Sequence, residues 1–148
     1  MTQREKDVKQ YLERYEKQLD KIDDIKELYE RLYTQATGTG AKLDAAGYIG
    51  SGFSGNIVEN SAIMLESTEE KIKAQIIKSR KMKATREKLI DGYAPDEITK
   101  MILKKSYIEC KDPALIAREI GKSISTVYKK KRTGIEHIAK RVKIIKPS

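Results

Sequence analysis

The sequence predicts an all-α fold, with long coiled-coil-type helices ahead of a C-terminal helix-turn-helix domain. Three observations carry that prediction. Val8, Tyr15, Ile22 and Tyr29 recur every seven residues in a stretch free of Gly and Pro. Six glycines, Gly38, Gly40, Gly47, Gly50, Gly52 and Gly55, then gather in one weakly charged segment. Residues 112–142 carry the start, stop and restart signals of two helices joined by a tight turn.

Composition limits what the fold can be. With 148 residues, 36% of them charged, 6% aromatic and no Trp, a large core is excluded and one or two small, elongated helical domains are expected. The first residues, MTQREKDVKQ, lack the apolar stretch of a secretory signal, and no apolar run approaches the ~18 residues of a membrane span, so no membrane partner is expected. Lone Cys110 fits a reducing compartment and, with the lone His137, makes neither a metal site nor a nucleophile and base. Cys110 is read as a small apolar packer. No paired carboxylates or His clusters point to catalysis, so neither an enzyme nor a cofactor is expected.

Residues 1–35 read as one helix. Leu12, Leu19 and Tyr33 interleave with the seven-residue series, Lys26 being the interruption. Such a helix cannot bury its stripe alone, so it must pack on a later helix or on a second copy, and a homodimer is the expectation. Residues 36–55 read as a Gly-rich linker. Within it Gly50-Ser51-Gly52-Phe53-Ser54-Gly55 matches G-x-G-x-x-G, but the flanking strands of a dinucleotide site are missing.

Asn56 with Glu59 forms a capping box that opens a second long helix over residues 56–92. Its stripe, Val58, Ala62, Leu65, Ile72, Ile76 and Ile90, has polar gaps at Glu69, Ser79, Lys83 and Arg86, and Ser67 with Glu70 offers a restart after a kink. The basic run 78–88 reads as a solvated face. Gly92 ends the helix. Residues 93–148 form the last domain, beginning with a helix after Pro95 whose apolar side is Ile98, Met101, Ile102, Tyr107 and Ile108.

Asp112 and Pro113 stand at the N-cap and first positions of the next helix, Gly121 at its left-handed end, and Ser123 at the cap of the last one. Ala117 is the small residue that two steeply crossing helices need. Val127, Gly134, Ile138 and Val142 continue inward, which leaves Ile124, Ser125, Tyr128, Lys129 and Arg132 pointing elsewhere. An amphipathic hairpin whose KKKR run at 129–132 is merely wet would share these features. Charge decides against it: from residue 113 onward ten Lys or Arg face two Glu, a net of +8, whereas residues 1–35 carry eight basic against nine acidic residues, a net of −1. Most of the chain's +9 therefore lies where a DNA reader would want it.

Ile116, Ala117, Ile120, Gly121, Ser123, Thr126 and Val127 fill the pattern I-A-x-x-Φ-G-x-S-x-x-T-V, with Φ apolar. In this the chain resembles the promoter-reading region 4 of sigma factors. Two residues depart from what is usual there: the one after the turn Gly, often apolar, is Lys122, and an apolar position further on is Gly134, an expected weak point of the last helix. With Met101, Ile102, Leu103, Tyr107 and Ile108 ahead of it, the whole resembles small transcriptional regulators of phages and prophages, the ArpU and RinA-like group.

That resemblance implies control of phage genes at a promoter in a bacterial cytoplasm, with double-stranded DNA and RNA polymerase as partners. The last helix would enter the major groove, Ile124, Ser125, Tyr128 and Lys129 reading bases, with Thr126 among the contacts. Lys122, Ser123, Lys130, Lys131 and Arg132 would hold phosphates. Two other readings stay open, a small-terminase-like DNA-packaging subunit and a polymerase- or sigma-binding coil.

Overall fold

The structure, a computed structural model, describes residues 1–37 and 51–142, with backbone alone for residues 51–59 and 61. It is all-helical, with no strand among the described residues. The order is α1 (Gln3–Thr37), α2 (Ser51–Tyr93), α3 (Glu97–Leu103), a π-helical turn (Lys104–Ile108), α4 (Pro113–Ile120) and α5 (Ile124–Arg141). No helix among the described residues is long and apolar enough to cross a membrane.

Two compact units divide the chain, one of residues 19–78 and one joining residues 1–18 to residues 79 onward. The C-terminal helices share a unit with the beginning of α1 and the end of α2, because three short helices present more apolar side than they can cover among themselves.

In the unit of residues 19–78, Ile22 and Leu32 are buried on α1 and Thr68 on α2, with Ile25, Tyr29, Leu65, Ile72 and Ile76 half-buried. Val8, Leu12, Tyr15 and Ile22 of the expected α1 stripe are buried, but beyond Leu12 its second row shifts by a residue: Gln18 and Leu32 are buried, whereas Leu19 is half-buried and Tyr33 is 52% exposed. Both series repeat every seven residues, and the observed one keeps the Lys26 ammonium in water rather than in the seam.

The α2 backbone is already helical at Ser51, so the helix starts ahead of the expected Asn56 cap and includes Ser51–Gly55, the second part of the G-x-G-x-x-G match. The rest of the expected linker, residues 38–50, lies outside the described residues. The helix runs without a restart at Ser67 and passes Gly92 to end at Tyr93.

In the C-terminal unit, Asp96 takes an extended backbone and its Oδ1 accepts the Thr99 N–H at 2.7 Å, capping α3. Beyond Leu103 the helix widens. The Glu109 N–H reaches the Lys104 carbonyl at 2.9 Å and the Lys111 N–H the Lys105 carbonyl at 2.9 Å, before Cys110, at φ +56°, turns the chain out. No sequence signal announced that turn. The α3 face also differs from expectation: Ile98 and Met101 are exposed, while Thr99 and Leu103 are fully buried.

Two apolar clusters hold the unit. Ile102, Ile116, Ala117 and Val127 form the smaller, with Ile120 against it. Val8 and Leu12 of α1, Ile90 of α2, and Leu103, Tyr107, Ile108, Ile135, Ile138 and Ala139 form the larger. Arg4 Nη2 donates to the Val142 carbonyl at 2.6 Å, so the start of α1 also meets the end of α5. Helices approach closely at Gly134, where an added Cβ would lie 2.7 Å from Thr99 Cγ2 and 2.9 Å from Leu103 Cδ1. Gly134 is therefore where α5 settles onto α3, and the expected weak point is a packing position.

Candidate nucleic-acid interface

The turn between α4 and α5 is built by local chemistry. Pro113 occupies the first turn of α4, although the Asp112 carboxylate makes no capping hydrogen bond and contributes only its extended backbone. Gly121, at φ 68° and ψ 35°, closes α4 in the left-handed region, and the Lys122 N–H returns to the Ala117 carbonyl at 3.0 Å. Ser123 Oγ then accepts the Thr126 N–H at 3.2 Å and lies 2.9 Å from Thr126 Oγ1, fixing the entry into α5. Thr126 is accordingly half-buried and part of the cap.

From this cap α5 presents a free side. Val127 is fully buried, while Ile124, Tyr128 and Arg132, four residues apart, run down one flank of α5 with Ser125 and Lys129 beside them, all exposed. Tyr128 is 56% exposed and Ile124 46%. Seven residues past Tyr128, on almost the same side, Ile135 is buried in the cluster that contains Val8 and Leu12. The free length is therefore residues 124–132, about 13 Å at ~1.5 Å per residue, against a major groove about 12 Å wide.

Charge around this side is uneven. Lys122 and Lys129 are exposed and make no ion pair among the described residues. Arg132 Nε pairs with Glu136 Oε1 at 3.2 Å in an exposed contact, of a kind worth little and easily exchanged for a phosphate. Lys130 is half-buried with its Nζ 3.8 Å from Asp96 Oδ2.

Lys131, expected among the phosphate contacts, turns away from the free side. Its Nζ lies 5.0 Å from the centroid of the Tyr107 ring. Burial pushes its pKa down, Lys9 adds to that, and Glu13 and Glu16 of α1 oppose it. The reason is angular: Lys131 lies three residues from Tyr128 but on the side where α5 meets the unit's core. Tyr107 is itself buried, which holds its hydroxyl well above the usual tyrosine range.

The last turn of α4 is anchored by Glu119, whose Oε1 accepts from Lys105 at 2.7 Å and from Lys111 at 3.0 Å, while Lys111 also pairs with Glu109 at 2.9 Å. The hydrogen bond from Lys105, then that from Lys111, holds the Glu119 carboxyl below its ordinary range. These pairs tie the π-helical turn to α4. Arg118, exposed and without an ion pair among the described residues, is a further cation absent from the sequence reading. Its position two beyond Ile116 and one beyond Ala117 on the α4 wheel was the signal for it.

Comparisons with protein-family models, with curated proteins and with solved structures return no match.

Proposed function

We propose that this chain binds double-stranded DNA through the first half of α5 and acts as a sequence-specific transcriptional regulator of the phage and prophage kind, at a promoter. One observation supports it above the others: a capped length of helix, about 13 Å by the helical rise, has one side clear of the core, with Lys122 and Lys129 at its edges making no ion pair among the described residues. In this reading Ile124, Ser125, Tyr128 and Lys129 face base edges, and Lys122, Ser123 and Arg132 face phosphates, with Arg118 added from α4. Lys131 leaves the set, and Lys130 contributes only when released from Asp96.

The regulator acts as a dimer in this reading and lies close enough to a promoter to meet RNA polymerase. Val8 and Leu12 are enclosed within their own chain, so a second copy would use other faces. Sedimentation at micromolar concentration measures that directly.

Fluorescence anisotropy with duplex DNA over a range of salt tests the main claim. The logarithm of the binding constant should fall linearly with the logarithm of salt, by about 0.9 for each phosphate neutralised. No binding at low ionic strength would refute it.

A further inference from the structure

We infer that the exposed pair Ile124 and Tyr128 selects thymine by its 5-methyl group, so that the operator carries thymine where these two side chains meet the major groove. The inference rests on the DNA-binding reading above and names what that reading leaves open, the chemistry by which part of the sequence is read.

Two large apolar side chains stand in water on a helix side whose other exposed residues, Ser125, Lys129 and Arg132, are polar. Ile124 and Tyr128 are four apart, hence on one side of α5, and both are about half exposed. Neither joins a core cluster. Ser123 and Ser125 hydroxyls lie 3.1 Å apart beside Ile124 and are engaged with each other and with the cap. The flanking Lys122 and Lys129 call for a polyanion.

An occupant that is anionic at its edges and apolar between them narrows the choice. In a major groove the phosphates lie along both rims, and the one apolar group on the floor is the methyl of thymine. The pair has no hydrogen-bonding group to read a guanine or adenine edge apart from the Tyr128 hydroxyl. Each methyl removed from water against Ile124 or Tyr128 should change affinity by roughly fourfold, from the usual value of a buried carbon group.

The test uses the full chain and duplexes it retains from a random double-stranded pool. Each thymine of a retained duplex is replaced in turn by deoxyuridine, which lacks only the methyl. Replacement at one or two positions is expected to weaken binding roughly fourfold, and Ile124→Ala or Tyr128→Ala should make the thymine and uracil duplexes equal at the corresponding position. Circular dichroism confirms that each variant is folded. Lys129→Ala should weaken both duplexes alike. A chain that retains duplexes but binds thymine and uracil forms equally at every position overturns this inference alone, as does a retained set without thymine preference. A chain that retains no duplex overturns both it and the DNA-binding reading.

Discussion

The guanidinium carbon of Arg86 lies 3.8 Å from the centroid of the Tyr11 ring, and Arg86 Nε donates to the Tyr11 carbonyl at 2.9 Å. Arg86 is fully buried, with Nη1 also reaching the Met82 carbonyl and Thr85 Oγ1, each at 3.3 Å. Burial pulls its pKa down, yet an arginine stays protonated at any pH at which the protein is folded. A permanent cation thus joins the start of α1 to the end of α2, its charge spread over an aromatic face and three oxygens.

Truncating that side chain should be costly. Arg86→Ala leaves a void against Tyr11 and is expected to lower stability by about 2–4 kcal/mol. Arg86→Met, which keeps most of the volume and removes the charge, should lose less than about 2 kcal/mol. Urea denaturation compares the two. Equal losses would mean that filling the space is irrelevant.

At Gly134 two terms oppose each other. Alanine there gains about 1 kcal/mol of helix propensity, but its Cβ would sit 2.7 Å and 2.9 Å from buried Thr99 and Leu103 side-chain carbons. Overpacking of about 1–3 kcal/mol should win, giving a net loss of order 1 kcal/mol. Thr99→Ser deletes the nearer methyl and should recover part of the loss in the double variant, as read by thermal unfolding.

Lys122 and Lys131 are both expected from the sequence to meet phosphate, and only the first faces outward. Lys122→Ala should lower the salt slope of DNA binding by about 0.9. Lys131→Ala should leave that slope unchanged and show its effect in stability instead. Matching slope changes in the two variants would contradict the orientation of α5.

Acid should loosen the C-terminal unit through Asp96 and Glu119. The Thr99 backbone N–H holds the Asp96 carboxyl below its ordinary value, and Lys105 and Lys111 do the same for Glu119. A depressed folded pKa gives stability that is complete above the unfolded value, near 4, and vanishes as pH falls through the folded one. Denaturation midpoints should therefore hold steady from about pH 7 to 5 and drop below about pH 4. Asp96→Asn keeps an acceptor for the cap and should make the drop shallower.

The turn between α4 and α5 was legible in the sequence because its determinants are local. Pro113, Gly121 and Ser123 each act on the backbone within five residues, and each stands at its expected place. The long helices were legible over most of their length too, since Gly and Pro are absent from α1 and from residues 56–91 of α2. Misread positions depend on distant partners. Arg86 reads as a polar gap until Tyr11, 75 residues away, supplies its carbonyl and ring. Lys131 reads as one of four equivalent cations until α1 and Tyr107 enclose it, and Gly134 as a weak point until Thr99 approaches. The one-residue shift in the second row of the α1 stripe has the same origin, for a seven-residue repeat cannot choose between adjacent series without its neighbour.

Joining the beginning of α1 to residues more than seventy positions later has a consequence for biosynthesis. While the ribosome is still adding α2 and α3, the Val8 and Leu12 side chains have emerged without Ile90, Ile135 or Ile138 to cover them. The turn between α4 and α5 cannot be seated until translation has passed α5. A nascent or prematurely terminated chain therefore displays a greasy first helix to chaperones and proteases while its C-terminal unit is still unassembled.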